Sequence, residues 1–175
     1  MTRPAILTTI GLAVLALAAC GTSAPEPPPV CPTALVLQGA ERTASYSPGA
    51  EHSPDTLRHL AHINNLASGC RFGPDGVEVD LAFNLIAERG PAFSGDAVDL
   101  SYFVATIGPA QEILSKQLFS SEIPFAVNEN LAGVNEQLTL RLPAAASEQA
   151  SAYAVYLGFQ LDEAELQERM RPLLR

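Results

Sequence analysis

Three histidines lie near one another in the sequence, and a cluster of imidazoles could bind zinc or copper. His59 and His62 are three residues apart, and His52 precedes them beside Glu51. Residues three apart share a face on a helix but point to opposite faces of a strand. We expect a strand here, so exposed histidines are favoured over a metal site. A metal-binding or metal-delivery protein that uses His52, His59 and His62 is the alternative function.

The sequence contains no recognisable catalytic motif. Ser94 stands in the run Phe-Ser-Gly-Asp, but there is no Gly-x-Ser-x-Gly elbow and no histidine in the C-terminal half for an acyl-transfer triad. Glycine-rich phosphate loops are also absent. Asp75, Glu78 and Asp80 lack the regular spacing of a calcium loop. We therefore expect a protein that is not an enzyme and that uses no cofactor.

The N-terminal segment has the layout of a secretory signal peptide. One cation, Arg3, precedes an apolar or small-residue run at 11–19, and the polar, proline-rich sequence GTSAPEPPP follows Cys20 at once. A membrane-spanning helix needs about 20 apolar residues, so cleavage of the leader is the better interpretation. A secreted protein with a free Cys20 is the alternative, although an exposed thiol is a liability in an oxidising compartment.

The end of the apolar run resembles the lipobox of bacterial lipoproteins, and the residues that carry the resemblance are Leu17, Ala18, Ala19 and Cys20. The resemblance implies that residues 1–19 are removed and that Cys20 is lipidated, which holds the protein on a bilayer in the cell envelope, facing the periplasm. Gly21, in place of an aspartate, favours the outer membrane by the same resemblance. Residues 20–32 are then a tether, which the three consecutive prolines stiffen.

Lipidation of Cys20 would leave one further pair of cysteines, Cys31 and Cys70. An even pair in an exported protein allows a single intramolecular connectivity, so we expect a disulfide and, with it, pairing of the first strand with the strand containing Cys70. Closing a loop of about 40 residues would stabilise the fold by about 3–4 kcal/mol. Catalytic dithiols usually have Cys-x-x-Cys spacing, which is absent, so a structural role is favoured.

The chain is acidic, with a formal net charge of -9. Loss of Arg3 with the leader would change this to -10, because no other charged residue precedes Cys20. A negative surface repels phosphate backbones, so nucleic acid is not an expected partner. The mature chain of about 150 residues suits one domain, which we place at 33–161.

Most of the chain after residue 76 has the two-residue period of half-buried strands. In the first such stretch, Glu78, Asp80 and Asn84 occupy one parity, and the other parity holds Val77, Val79, Leu81, Phe83 and Leu85. The alternation recurs at 134–142 and 153–161. Residues 98–107 are apolar on both faces, which predicts a central strand, and 113–125 is predicted to be a longer strand with a bulge.

Turn sequences stand between these strands. GPDG at 73–76 and GPAQ at 108–111 each separate two strands at hairpin distance. They predict two hairpins, one that pairs the strand ending near Phe72 with 77–88 and one that pairs 98–107 with 112–125.

Residues 56–70 are ambiguous because apolar residues recur every three positions, which favours a helix. The segment also contains four poor helix formers, and a strand would complete the first hairpin, so we predict a strand from about Ala61; the four residues are Asn64, Asn65, Ser68 and Gly69. Residues 41–54 hold turn formers and few core candidates, which predicts a long exposed loop.

The C-terminal part combines an aromatic strand with a helix start. Tyr153 and Phe159 share the core-facing parity, so Tyr156 is the exposed member of this group. Asp162 followed by Glu165 is typical of a capping box, which predicts a short helix within 162–175.

With 33–38 added, about seven antiparallel strands predict an all-β fold, a β-sandwich that resembles the immunoglobulin-like architecture, with a short C-terminal helix. Antibody-domain hallmarks are missing, since the chain has no tryptophan. The chain also resembles uncharacterised envelope lipoproteins, which implies an anchor and a β-domain. We expect a non-enzymatic binding or assembly module, with the lipid bilayer and another envelope protein as partners.

Overall fold

The computed structural model describes residues 30–143 and 149–170. These residues contain one α-helix, two short 3-10 turns and eight strands, which are β1 Thr33–Val36, β2 Arg42–Tyr46, β3 Leu57–Gly73, β4 Gly76–Arg89, β5 Ala97–Ile107, β6 Ile113–Pro124, β7 Leu131–Leu142 and β8 Ala154–Phe159. The helix, α1, spans Glu163–Met170. The expected signal peptide, Cys20 and most of the expected tether lie outside the described residues.

The strands form two four-stranded sheets. The first sheet has the order β1-β8-β5-β6, and the second has the order β2-β3-β4-β7. Apolar side chains from both sheets meet in one core, where the rings of Phe83 and Tyr102 pack edge to face with centroids 5.5 Å apart. The prediction of an all-β sandwich with a short C-terminal helix is confirmed, with eight strands where the sequence indicated about seven.

Strand β4 shows why the sequence pattern was informative. Its odd-numbered residues from Val77 to Ala87 are buried, and Phe83 and Leu85 are fully buried. Its even-numbered residues lie on the outer face of the second sheet. Because successive side chains of a strand point to opposite faces, the alternation in the sequence maps directly onto core and solvent.

Strand β3 is a strand throughout, which confirms the choice of strand over helix and extends it four residues towards the N-terminus. Its register against β4 shifts between Asn64 and Ala67, and Asn65 adopts a φ of 53°. Such a bulge inserts an extra residue and re-aims the side chains that follow. The bulge explains why the apolar residues of β3 depart from a two-residue period.

Strand β2 corrects one prediction, because it lies inside the segment 41–54 that we expected to be a long exposed loop. It pairs antiparallel with β3, from Arg42 opposite His62 to Tyr46 opposite Leu57. The segment carries few large apolar residues because β2 is an edge strand, and Thr43 and Tyr46 are good strand formers. The turn formers and low apolar content of this segment are the reason that the sequence predicted a loop instead of β2.

Strand β1 corrects two further predictions. It pairs with β8, and it runs parallel to it, from Thr33 opposite Ala154 to Val36 opposite Leu157. The sandwich is therefore not wholly antiparallel, and the first strand does not pair with the strand containing Cys70. The expected disulfide is present, with 5.7 Å between the Cα atoms of Cys31 and Cys70, and it joins the chain just before β1 to β3. The disulfide therefore connects the two sheets, which no backbone pairing between the described strands does.

The two predicted hairpins are confirmed. β3 and β4 pair up to Gly73 opposite Gly76, and β5 pairs with β6 with a register shift at Thr106 and Ile107. Strand β5 lies between β8 and β6, as expected of a strand that is apolar on both faces.

The C-terminal predictions are also confirmed. The N–H of Glu165 donates to Asp162 Oδ1 at 2.8 Å, and the N–H of Asp162 donates to Glu165 Oε2 at 3.3 Å, which is the capping box that begins α1. Tyr153 and Phe159 are buried, and Tyr156 is partly exposed. Within the described residues, no helix combines the length and apolar character needed to cross a membrane.

Candidate functional site

The structure separates the three histidines. His59 points between the sheets, on the same parity as the buried Ala61, whereas His62 lies on the opposite face of β3. His52 stacks on Tyr46 with ring centroids 4.1 Å apart. Across residues 30–143 and 149–170, no group of three His, Cys, Asp or Glu side chains is placed to hold a metal ion. The structure therefore does not bring the three histidines together into one site.

His52 and His59 do share a polar cleft at one end of the sandwich. The cleft has a volume of about 420 Å³, and its lining includes Tyr46, His52, His59, Asp99, Gln160 and Glu165. Burial lowers the pKa of His59, the positive charge of Arg58 lowers it further, and the carboxylate of Glu165 raises it in part. The imidazole is thus held in its neutral form, which can donate and accept one hydrogen bond each.

Helix α1 closes one side of this cleft and covers the edge of β2. Glu165 accepts hydrogen bonds from the hydroxyl of Thr43 at 2.8 Å and from the N–H of Ala44 at 3.2 Å. Arg169 donates to the carbonyl oxygens of Gly39 and Arg42. Because covering an edge with a helix prevents pairing with another chain, Glu165 has a structural task that explains its place in the cleft.

Asp75 lies in the turn between β3 and β4, whereas Glu78 and Asp80, the other acidic residues considered for calcium, belong to an ionic ladder on the outer face of the second sheet. Arg71 forms salt bridges with Glu78 and Asp80, and Arg141 forms one with Glu78. The hydroxyl of Thr139 and the guanidinium of Arg71 hold the pKa of Asp80 below its ordinary value. These carboxylates are therefore occupied by cations of the chain itself.

A carboxylate inside the sandwich was not anticipated. Glu136 on β7 has the inward parity, and its two oxygens accept hydrogen bonds from Tyr102 at 3.1 Å and from Ser121 at 2.6 Å. Burial, the negative charge of Glu136 and this hydrogen bond raise the pKa of Tyr102. The three side chains join β5 and β6 of the first sheet to β7 of the second.

The outer face of the first sheet groups several apolar side chains beside the polar and charged residues at 99, 101, 116, 120 and 122. We call this surface the apolar face and define it by the outward side chains Leu35, Phe103, Ile107, Ile113, Leu118 and Tyr156. Their positions follow from the register, in which Leu35 is opposite Tyr156 and Phe103 is opposite Leu118. Ile113 is 68% exposed and Leu118 is 64% exposed.

The chain itself covers the middle of the apolar face. The segment after β1 crosses β8 at Gly158, where an added Cβ would stand 2.8 Å from the Cβ of Ala40. A glycine is needed for this close approach. Ala40, Phe103 and Ala105 form a small buried cluster there, and the ammonium of Lys116 lies 4.5 Å from the centroid of the Phe103 ring. The exposed apolar residues surround this cluster.

The outer face of the second sheet supplies the contrast. From Asn135 to Arg141 the exposed positions of β7 are polar, namely Asn135, Gln137, Thr139 and Arg141, whereas Leu131 at the start of the strand is apolar and 59% exposed. Several of these make hydrogen bonds to β4, such as that from Thr139 to Asp80 at 2.7 Å. The middle of the second sheet's outer face is thus polar and internally hydrogen-bonded, whereas the outer face of the first sheet groups exposed apolar side chains.

No protein family model, no curated protein and no solved structure matches this chain. The candidate sites therefore rest on the geometry above. The sequence signal for the apolar face was the run at 98–107 that is apolar on both faces, which we interpreted as a sign of a central strand. That interpretation is correct, and three apolar residues of this strand, Phe103, Ala105 and Ile107, point to the outer face of the sheet.

Proposed function

We propose that this protein is a lipid-anchored lipoprotein of the cell envelope whose sandwich is a non-enzymatic module that binds another envelope protein through the apolar face. In this proposal residues 1–19 are a signal peptide and Cys20 carries the lipid. The body faces the periplasm, and the outer membrane is the favoured location.

The observation that carries the proposal is the difference between the two outer faces. Ile113 and Leu118 are more than half exposed on one sheet, while the middle of the other sheet's outer face, at 135–141 of β7, is polar. Exposed apolar side chains grouped on one face of a folded domain are typical of a binding site, because covering them removes apolar area from water. The half-buried Tyr156 adds an aromatic side chain of the kind enriched at protein interfaces.

The lipid anchor is supported by the sequence of the leader and by the disulfide. Disulfides form and persist in oxidising compartments, so the Cys31–Cys70 bond fits an exported protein. Mass spectrometry of the N-terminal peptide should find a diacylated or triacylated Cys20. Cys20→Ala should leave a soluble or unprocessed chain, and efficient membrane retention of this variant would reject the anchor.

We also infer that the sandwich is of the immunoglobulin-like kind. The disulfide that connects the two sheets and the two sheets of four strands support this assignment. The parallel pairing of β1 with β8 and the absence of tryptophan distinguish it from antibody domains.

A binding experiment tests the module directly. The tagged full chain is purified from detergent-solubilised envelopes, and co-purifying proteins are compared among three versions. Tyr156→Asp places a charge on the apolar face and should abolish co-purification of the partner, because a buried unpaired charge is costly. Gln137→Asp places the same charge on the polar face, where Ala82 is the cross-strand neighbour, and should leave it unchanged. Equal loss in both variants, or in neither, would reject the apolar face as the binding surface.

A further inference from the structure

The free edge of β6 has the features of a strand that pairs with another strand. Among the described residues β6 is hydrogen-bonded to β5 alone, and it is the outermost strand of the first sheet. The N–H of Phe125, just after β6, donates to the carbonyl of Asp96 at 2.8 Å. The N–H and C=O groups of successive residues alternate in direction along a strand. Because the N–H of Phe125 points towards β5, the N–H and C=O groups of the even-numbered residues of β6 point away from β5.

The side chains of the even-numbered residues of β6 point to the outer face of the first sheet and include both positive and negative charges. Lys116, Leu118, Ser120 and Glu122 occupy these positions, and Pro124 at the end places its missing N–H on the free side, where a proline is tolerated. Lys116 is the single lysine of the chain. It donates to Gln160 at 2.9 Å and lies over Phe103, and it forms no ion pair within the described residues.

Glu122 stands directly opposite a second carboxylate. In the register of β5 and β6 it is the cross-strand partner of Asp99, and no other described strand pair sets two carboxylates opposite each other. Like charges directly opposite destabilise a sheet. Neither Asp99 nor Glu122 has a cation beside it among the described residues, so this end of β6 lacks a positive charge while Lys116 lacks a negative one.

We propose that β6 pairs antiparallel with β6 of a second copy of this chain, with the twofold axis at Phe119. In this register Lys116 lies opposite the partner subunit's Glu122, and the partner subunit's Lys116 lies opposite Glu122. Leu118 lies opposite the partner subunit's Ser120. Each lysine then neutralises an acidic pair that the single chain leaves uncompensated, and the two first sheets become one continuous sheet.

The other edges of the sandwich favour β6 as the pairing strand. The edge of β2 is covered by α1 through Glu165 and Arg169. Strand β1 has four residues, which offers little backbone for pairing. Strand β7 is open but carries one charge on its outer face, Arg141, which is already paired with Glu78. Strand β6 is long and, among the described strands, unpaired on one side. Its positive Lys116 and negative Glu122 lie three residues before and three residues after Phe119.

The pairing would also join the apolar faces of the two copies. Leu118 is 64% exposed on β6 and would lie near the twofold axis. The dimer goes beyond the proposed binding of another protein, and it does not depend on it.

The test is a charge-reversal series on the full chain in density-matched detergent, followed by sedimentation equilibrium over a range of concentrations. Wild type should show a reversible dimer. Lys116→Glu alone and Glu122→Lys alone should each weaken dimerisation by about tenfold or more, because two attractive pairs become repulsive. The double variant Lys116→Glu/Glu122→Lys should restore it. Arg141→Glu makes the same charge change on β7 and should leave the dimer intact.

Circular dichroism of each variant verifies that the fold is retained, so that loss of dimer is not loss of structure. A wild-type chain that stays monomeric would overturn the proposal, as would a double variant as weak as the single ones, or an Arg141→Glu variant as weak as Lys116→Glu. A monomer that binds another protein along β6 would also overturn it, while leaving the proposed function intact. Tyr156→Asp is expected to lose the other envelope protein. A dimer that persists in this variant would support dimerisation through β6 independently of the proposed function.

Discussion

The hydroxyl of Tyr102 on β5 donates a 3.1 Å hydrogen bond to the carboxylate of Glu136 on β7, which connects the two sheets through a polar contact beside the apolar core. Ser121 donates to the other oxygen of the same carboxylate at 2.6 Å. Glu136 thus satisfies a tyrosine that is only 1% exposed. Through Ser121 it also links β6 to β7, the two open edges on that side of the sandwich.

Removing this acceptor should cost stability. Glu136→Ala leaves the Tyr102 hydroxyl without its partner, and an unsatisfied buried polar group costs about 1–3 kcal/mol. Glu136→Gln keeps an acceptor oxygen and should cost less. Urea unfolding of both variants measures the difference, and Asn135→Ala, on the outward parity of the same strand, is the control. If alanine and glutamine at 136 cost the same, the hydrogen bonds contribute nothing.

The core alternation of β4 predicts a strong contrast between neighbours. Phe83→Ala should lower the free energy of unfolding by about 3–5 kcal/mol, because the side chain is fully buried. Asn84→Ala, on the outer face, should cost less than about 1 kcal/mol. Thermal or chemical unfolding compares the two. Similar losses at both positions would mean that the outer face of β4 is covered in solution.

The disulfide should be closed and stabilising. A free-thiol assay on the denatured, unreduced protein should find neither Cys31 nor Cys70 reactive. The double variant Cys31→Ala/Cys70→Ala should lose about 3–4 kcal/mol, because the bond closes a loop of 39 residues in the unfolded chain. Two titratable thiols in protein purified without reductant would contradict the structure.

His59 should make the fold less stable as the pH falls. Burial lowers its pKa in the folded protein, so below the unfolded value of about 6.5 the unfolded chain binds more protons than the folded one. Stability should therefore be complete above this value and decline as pH drops through it. Denaturant unfolding at pH 7.5 and pH 5.5 measures the loss, which His59→Gln should reduce.

Arg58→Gln provides the matched variant for this pH effect. The charge of Arg58 is the second cause of the low pKa of His59, so its removal should reduce the pH dependence without abolishing it. A His59→Gln protein with the full wild-type loss of stability at pH 5.5 would show that other groups are responsible.

The sequence predicted best where one face of a strand is solvated. In β4 the polar residues alternate with the apolar ones, so both the element and its core face could be deduced. Two features were not predicted, because the local sequence pattern at each of them indicates a different structure. Glu136 occupies a core parity that is usually apolar, and β2 is an edge strand with little apolar content.

The pairing of β1 escaped for a different reason. Strands β1 and β8 lie at opposite ends of the chain, and no turn sequence connects them. A parallel, long-range pair leaves no local signal, because its register is set by packing and not by a hairpin. The apolar face was similarly hidden, since a strand that is apolar on both sides predicts burial and does not show which side stays open.

The proposed function rests on the apolar face, and site-specific photocross-linking in living cells tests it most directly. A photoreactive phenylalanine analogue at Tyr156 should form an adduct with a different envelope protein, identifiable by mass spectrometry. The same analogue at Gln137, on the outer face of the second sheet, should form none. Absence of adducts at Tyr156, or equal adducts at Tyr156 and Gln137, would contradict the assignment of the apolar face as the binding surface.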